Sequence, residues 1–361
     1  MESRRSLDRA RQRTSRFSLG ETHPGAMLRR TCGKIGMIAA AVLATWGAAA
    51  AEVLEVRSGA ACLGLDGATG ALLRFADPEA GLELAGGGQE LFRLVVSPPG
   101  ADPVEPLRLS SRDAQAVKRI EGDGVRLRFE GIGNRDLAAV CAVESGADGF
   151  FRFRITVEGE SGAVVERVDY PLLPLAAPLE GDGAGDALVL GTTKGGVLER
   201  PHQWKPGRSA AGTQPGNLAA QFGCYYGPKG GAVTYCEDQA GYPKTLAAER
   251  AAGGLVLGWR HPMRHDLKEP FRLAFPVVAG VFRAAPGAAA DWRDAAAIYK
   301  SWALKQPWCA KRLAERGDLP GWLKQGPAQV RFGREWLGQP ERIEAWLEKY
   351  WTRHFEGVPL V

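Results

Sequence analysis

The sequence predicts a mainly β protein, a large antiparallel sandwich followed by a linking helix and then by one βαβ unit. Three observations carry that expectation. From residue 52 to 286, short runs of apolar residues alternate with charged ones and are broken by clusters of Gly, Pro, Asn and Asp. From 291 to 309 the chain reads DWRDAAAIYKSWALKQPWC, with its apolar residues at helical spacing. Beyond 325, a strand pattern, a helix pattern and a second strand pattern follow in order.

The strands come first. Phe151, Phe153, Ile155 and Val157 alternate with Arg152, Arg154, Thr156 and Glu158, the clearest half-buried strand in the chain. Val125, Leu127 and Phe129 alternate with Arg126 and Arg128 in the same way. Further strands are expected over 91–96, 164–170, 188–191, 221–226, 232–237, 255–259 and 271–281, with no helix of three turns among them. So many strands exceed a small immunoglobulin-like domain, and a large two-sheet sandwich fits better.

The linking helix has a start and a stop. Asp291 suits an N-cap, and Asp294 lies three residues on, where its carboxylate reaches back to free N–H groups. Trp292, Ala295, Ala296, Tyr299, Trp302 and Ala303 form one apolar stripe. Pro307 places the end near Lys305. Beyond it, a short turn is expected over 319–323 and a strand over 328–332. A helix should run from Pro340 to about 354, with Ile343, Trp346, Leu347, Tyr350 and Trp351 on one face, before a strand over 358–361. A (β/α)₈ barrel takes about 250 residues, so the chain is expected to hold only the first unit of a truncated barrel.

The overall charge of +5 is misleading, because 12 of the 87 charged Lys, Arg, Asp and Glu residues sit in a basic leader. The first 51 residues hold nine Lys or Arg and three Asp or Glu, leaving 37 basic and 38 acidic residues in the remainder. That near-neutral balance gives no electrostatic footprint for nucleic acid. Within the leader, Arg29, Arg30 and Lys34 precede an apolar run from Ile35 to Trp46, and Ala49 and Ala51 offer a small-residue cleavage site. Residues 27–51 therefore have the pattern of a secretory signal peptide, too short for a membrane span, and the protein is expected to be exported to the periplasm or beyond the cell. Residues 1–26 are either a basic extension or the product of an upstream start. The expected divisions are a leader over 1–51, a sandwich over 52–286, a helical linker over 287–325 and the start of a barrel over 326–361.

Export permits disulfides. Five cysteines follow the leader: Cys62, Cys141, Cys224, Cys236 and Cys309. Cys224 and Cys236 flank Gly227-Pro228-Lys229-Gly230-Gly231, so they either pair across a hairpin or remain two buried thiols. No Cys or His spacing resembles a zinc site, and neither metal nor cofactor is expected.

Several stretches resemble a known architecture. LGLDGATGALLRFADPEAGLELAGG resembles the opening strands of a galactose mutarotase-like supersandwich, and AAQFGCYYGPKGGAVTYCEDQAGYPK a hairpin of that domain in multidomain glycoside hydrolases. DWRDAAAIYKSWALKQPWC is similar to the helix that leads into their catalytic barrel, and LPGWLKQGPAQVRFG to the entry of its first strand. From about 63 to 361 the chain thus resembles a glycoside-hydrolase-like family of unknown function, and carbohydrate as ligand follows from that resemblance. Glycoside hydrolysis usually needs two carboxyl groups on strand-end loops, and in such barrels these come from later strands. They are expected beyond residue 361, and no catalytic residue is assigned.

Candidate sugar contacts follow. Arg334, Glu335 and Trp336 come directly after the first expected barrel strand, at what would be its rim, where charged groups bind hydroxyls and an indole stacks on a pyranose. Glu237 and Asp238 end a strand on the edge that faces the barrel in the resembled family. Because strand neighbours point to opposite faces, Asp238, in the loop, is the freer of the two. Trp204 lies in the loop-like HQWKPG beside His202. Trp259-Arg260-His261 and His265-Asp266 form an aromatic and basic cluster; Arg260 with His261 is the one that would suit a lyase base beside a uronate. For each residue the alternative is an ordinary structural role. Three functions stay open: the N-terminal part of an exported glycoside hydrolase-like protein, a non-catalytic carbohydrate-binding or scaffolding module, and a polysaccharide lyase or sugar epimerase.

Overall fold

Period-two alternation decides which side chains each strand buries, and the pairing of strands distant in sequence decides which faces meet. In this computed structural model, the described residues are 52–88, 90–100, 105–193, 195–324, 336, 338–351 and 353. The sheet-forming residues all belong to one compact unit, Ala50–Val361.

The chain opens as a four-stranded meander of β1 (Val53–Ser58), β2 (Ala61–Asp66), β3 (Leu72–Asp77) and β4 (Leu82–Glu83). β5 (Arg93–Ser97) and β6 (Leu107–Ser110) then enter a six-stranded sheet. β7 (Ala116–Ile120), β8 (Val125–Glu130), β9 (Leu137–Ser145) and β10 (Phe151–Gly159) form consecutive strands of a ten-stranded sheet. From there the chain passes repeatedly between these two sheets. β11 (Val164–Leu175) and β14 (Ser209–Gln214) join the six-stranded one, and so do β17 (Lys244–Ala251) and β18 (Gly254–Asp266). β12 (Ala187–Thr192), β13 (Leu198–Glu199), β15 (Leu218–Gly227), β16 (Gly230–Cys236), β19 (Phe271–Arg272) and β20 (Val277–Arg283) join the ten-stranded one.

The smaller of these two sheets runs β14-β17-β18-β11-β5-β6, and the larger β13-β12-β15-β16-β20-β10-β9-β8-β7, with β19 paired to β10. All named pairings are antiparallel, as expected for a sandwich. One contiguous core draws on all three sheets, including Leu63 and Phe75 from the meander, Phe129 and Phe153 from the large sheet, and Val168, Leu257 and Trp259 from the six-stranded sheet. Gly70 sits at φ +70° in the β2–β3 turn, and a Cβ there would come within 2.4 Å of the Phe129 ring. Glycine at this position lets the meander close onto the large sheet.

Each strand expected between 91 and 281 is present, with one correction. The stretch 271–281 is split into β19 and β20, both paired with β10, because Pro276 cannot donate to the ladder between them. The described cysteines are all free. In the β15–β16 hairpin Cys224 lies opposite Val233 and Phe222 opposite Tyr235. Cys224 and Cys236 are thus offset along the hairpin and point to opposite faces, Cys224 beneath the linking helix and Cys236 into the main core. Strands β1, β6, β7, β9, β13, β14 and β17 are not among those expected; Ala-rich stretches such as SAAGTQ and KTLAAERA carry little β signal of their own.

The linking helix, α1 (Trp292–Ala303), has the expected capping box. The Arg293 amide donates to Asp291 Oδ1 at 2.5 Å, and the Asp291 amide to Asp294 Oδ2 at 2.9 Å. Its stripe covers the outer face of the ten-stranded sheet. Ala295 packs with Val189, Cys224 and Phe282, while Ala296, Tyr299 and Trp302 pack on Phe222, Tyr235 and Val278. Tyr299 stacks on Phe222 with centroids 5.4 Å apart and planes 15° apart. The part of the large sheet formed by β12, β15, β16 and β20 is therefore covered on both faces, by the core on one and by α1 on the other.

Past α1 come a short helix, α2 (Gly321–Lys324), and α3 (Pro340–Trp346), which begins at Pro340 as expected and continues as a π-helical turn over Leu347–Trp351. The strands expected over 328–332 and 358–361 lie outside the described residues. Among the described residues, no helix is long and apolar enough to cross a membrane.

Candidate functional site

A strand pair fixes which side chains stand side by side on a sheet face. On the outer face of the six-stranded sheet, Arg260 of β18 lies opposite Asp169 of β11, Asp169 opposite Arg93 of β5, and Arg93 opposite Ser110 of β6. In the adjoining row, Arg167 lies opposite Val95, and Val95 opposite Arg108. The inward positions of the same strands, Leu94, Val96, Val165 and Val168, are core. Two parallel rows of charge thus cross the sheet at right angles to its strands.

These rows floor a cleft of about 630 Å³ lined by Arg93, Arg108, Arg112, Arg167 and Arg260 together with Glu90, Asp113, Asp169 and Glu249. Asp169 is its anchor. Only 2% exposed, it accepts from Arg167 Nε at 2.7 Å and Nη2 at 3.2 Å, with Arg260 Nε at 4.0 Å. Burial pushes its carboxyl above the usual carboxylate range, against the pull of Arg167, Arg260 and Arg93. Arg93 sits between Glu90, 2.7 Å away, and Glu249, 3.5 Å away. Burial disfavours its charge, but the hydrogen bond and charge of Glu90, together with the charges of Glu249 and Asp169, outweigh that and raise its pKa. Glu249 also lies 3.9 Å from Arg260. The arrangement is a fixed array of guanidinium donors and carboxylate acceptors at a size that admits a sugar.

A second cavity of about 620 Å³, lined by Tyr242, Pro243, His261, Met263, Phe271 and Phe275 among others, is mostly apolar. His261 is 2% exposed, its Nε2 lies 3.0 Å from the Tyr170 carbonyl, and burial lowers its pKa to about 4. Arg260 and His261 are therefore separated by strand alternation, Arg260 facing the charged cleft and His261 the interior. They do not act on one ligand atom as a lyase pair.

The other sequence candidates are dispersed. Asp238 is 1% exposed and receives Lys244 Nζ at 2.5 Å and the amides of Ala240 and Gly241 at 2.9 and 3.1 Å. Far from being a free loop acid, it clips the segment joining β16 to β17. Glu237 is paired with Arg152 at 2.8 Å on the large sheet. Trp204 is 8% exposed and part of the core, with the Arg208 guanidinium 4.8 Å from its ring centroid. His202 Nδ1 lies 3.9 Å from Asp186 Oδ2. Trp259 is fully buried and donates to Thr234 Oγ1 at 3.0 Å. His265 Nε2 lies 2.9 Å from the Glu269 carbonyl. Trp336 carries the Arg342 guanidinium 4.0 Å from its ring centroid, while Arg334 and Glu335 lie outside the described residues. Among the described residues no group of three His, Cys, Asp or Glu side chains could hold a metal ion.

The cleft residues Arg93, Arg167, Asp169 and Glu249 went unrecognised in the sequence. The available signal was the pair Arg167 and Asp169 at i, i+2 on an expected strand. Its meaning depends on Arg93 and Arg260, which lie far off in the chain.

No protein-family profile matches the sequence, and no curated protein matches it either. Among solved structures, the chain is similar to α-N-acetylgalactosaminidase NagBb from Bifidobacterium bifidum in complex with GalNAc, at 16% identity and TM-score 0.53, covering 82% of this chain and 49% of that one. The fold is shared with part of a glycosidase. This chain spans about half the length of that enzyme. Weaker likenesses run to a galactose mutarotase-like protein from Lactobacillus casei (11% identity, TM-score 0.43, covering 64% of this chain and 100% of that one) and to a putative aldose 1-epimerase from Escherichia coli K12 (10%, 0.40, 64% and 99%).

Proposed function

We propose that this chain is the galactose mutarotase-like supersandwich part of an exported glycoside hydrolase-like protein, and that it binds carbohydrate in the charged cleft of its six-stranded sheet. The observation that carries this reading is the fold shared with part of a glycosidase over 82% of the chain. The packing of α1 against the large sheet supports it, because a helix seated on the sandwich just before the next domain is what a linking helix requires. A cleft of sugar size with fixed donors and acceptors supports carbohydrate as the ligand. In the whole protein, as proposed, a barrel begins after α1, Arg334, Glu335 and Trp336 stand at its rim, and the catalytic carboxylates come from its later strands. The segment 27–51 directs export.

For this chain taken alone, the proposed role is binding and support of the barrel rather than turnover. The lyase alternative is weakened because no His, Tyr or Lys is among the residues that line the cleft. The test is a glycan array probed with the purified protein and with its Arg260→Gln variant. Binding of a defined glycan class that Arg260→Gln diminishes supports the proposal. Absence of glycan binding, or binding indifferent to that change, overturns it.

A further inference from the structure

Resting on the reading of the cleft as a carbohydrate site, we propose that its ligand is an anionic saccharide, carrying a uronate carboxylate or a sulfate ester, and that Arg108 and Arg112 grip the acid group. The charge distribution within the cleft points there. Five arginines face four carboxylates, and each carboxylate already has an assignment. Glu90 holds Arg93, Glu249 lies between Arg93 and Arg260, and Asp169 holds Arg167 with Arg260 close by. Asp113 Oδ2 is engaged in a capping box, accepting the Ser110 amide at 2.7 Å and the Ser110 hydroxyl at 3.0 Å.

Arg108 and Arg112 are left over. Both are exposed, both line the cleft, and neither forms an ion pair among the described residues. Arg108 stands at the end of the Arg167–Val95–Arg108 row on the edge strand β6, and Arg112 follows directly in the short 3₁₀ turn after it. The cleft thus has a saturated end, where Asp169 and Glu249 lock Arg167, Arg260 and Arg93 in place, and an unsaturated end that presents two free guanidiniums. A neutral sugar would leave the unsaturated end without a counter-charge. A carboxylate or sulfate on the sugar would supply it through charge-assisted hydrogen bonds. The saturated end would hold hydroxyls, with both donors and acceptors on offer.

The test is isothermal titration calorimetry of the purified protein with oligogalacturonate, sulfated galactan oligosaccharides, uncharged galacto-oligosaccharides and inorganic sulfate. The expected result is binding of one or both acidic saccharides over the neutral ones, weakened as salt rises from about 0.05 to about 0.5 M. An Arg108→Gln, Arg112→Gln double variant should lose roughly tenfold or more in acidic-saccharide affinity with an unchanged circular dichroism spectrum. Preference between oligogalacturonate and the sulfated oligosaccharides identifies which acid is read. Equal binding of neutral and acidic saccharides overturns the inference while leaving the carbohydrate reading standing. Acidic binding indifferent to the double variant also overturns it, as does inorganic sulfate matching the oligosaccharides, which would mean a simple anion site. No binding of any saccharide overturns both.

Discussion

Lys244 donates to Asp238 across 2.5 Å with both side chains withdrawn from solvent, at 0% and 1% exposure. The ammonium also reaches the Tyr242 carbonyl at 2.7 Å, and Asp238 Oδ1 takes the amides of Ala240 and Gly241. This buried pair folds the connection between β16 of the large sheet and β17 of the six-stranded sheet back on itself. Removing one partner leaves the other charge buried alone. Lys244→Met should cost about 3 kcal/mol of stability in urea denaturation, and Asp238→Ala a similar amount. The double variant should cost less than the two singles together, because neither charge is then stranded. Simple additivity of the two changes would contradict this account.

His261 should make stability depend on pH in mildly acidic solution. Burial lowers its folded pKa to about 4, from an ordinary value of 6.5. The unfolded chain therefore binds a proton between those values that the folded chain refuses. Stability contributed by the neutral ring is complete above about pH 6.5 and declines as pH falls towards 4, by about 3 kcal/mol at most. Urea midpoints of the wild type and His261→Phe, compared from pH 7 to pH 4, should show the steeper decline in the wild type. Parallel curves would remove His261 as the source.

The stacking of Tyr299 on Phe222 should hold α1 to the large sheet. Tyr299→Ala removes that contact, the edge contact to Tyr235 and the tilted contact to Trp302, at 5.9 and 5.7 Å between centroids. The expected loss is roughly 2 kcal/mol, below that for a fully buried aromatic because Tyr299 is only partly buried. Hydrogen exchange should locate the effect in 292–303, with the core strand β10 still protected. Uniform loss of protection across both would show that the helix and sandwich unfold as one unit.

The thiols should divide by burial rather than by pairing. Cys62, Cys141, Cys224 and Cys236 are buried and Cys309 is partly exposed. Desolvation raises the Cys141 and Cys236 thiols well above their ordinary range and pushes Cys224 up to about 12. In native protein lacking the leader, a thiol reagent should modify Cys309 quickly and the other four only on unfolding, with or without prior reduction. Release of further thiols by a reductant would reveal a disulfide that the register of β15 and β16 forbids.

The legible part of this protein was local. Alternation identified β8 and β10 because Phe151, Phe153, Ile155 and Val157 bury one face whatever strand lies beside them. The capping box of α1 needs only Asp291 and Asp294, three residues apart, and its aromatic stripe needs only helical spacing. The unread strands β14 and β17 are small-residue strands paired with each other, held by the ladder and by their place over the core rather than by strong β formers.

By itself the sequence determined that this is a mainly β chain with a capped amphipathic helix after its strands, since periodicity and capping act over a few residues. Only the tertiary structure decided that Arg93, Asp169 and Arg260 share one row while the neighbouring His261 turns inward. It also decided that Asp238 is a buried clip and that Cys224 and Cys236 cannot meet. The physical reason is register: a one-residue slip between strands exchanges the two faces of a sheet, and pairings such as Asp169 with Arg93, 76 positions apart, are set by the packing of the whole sandwich.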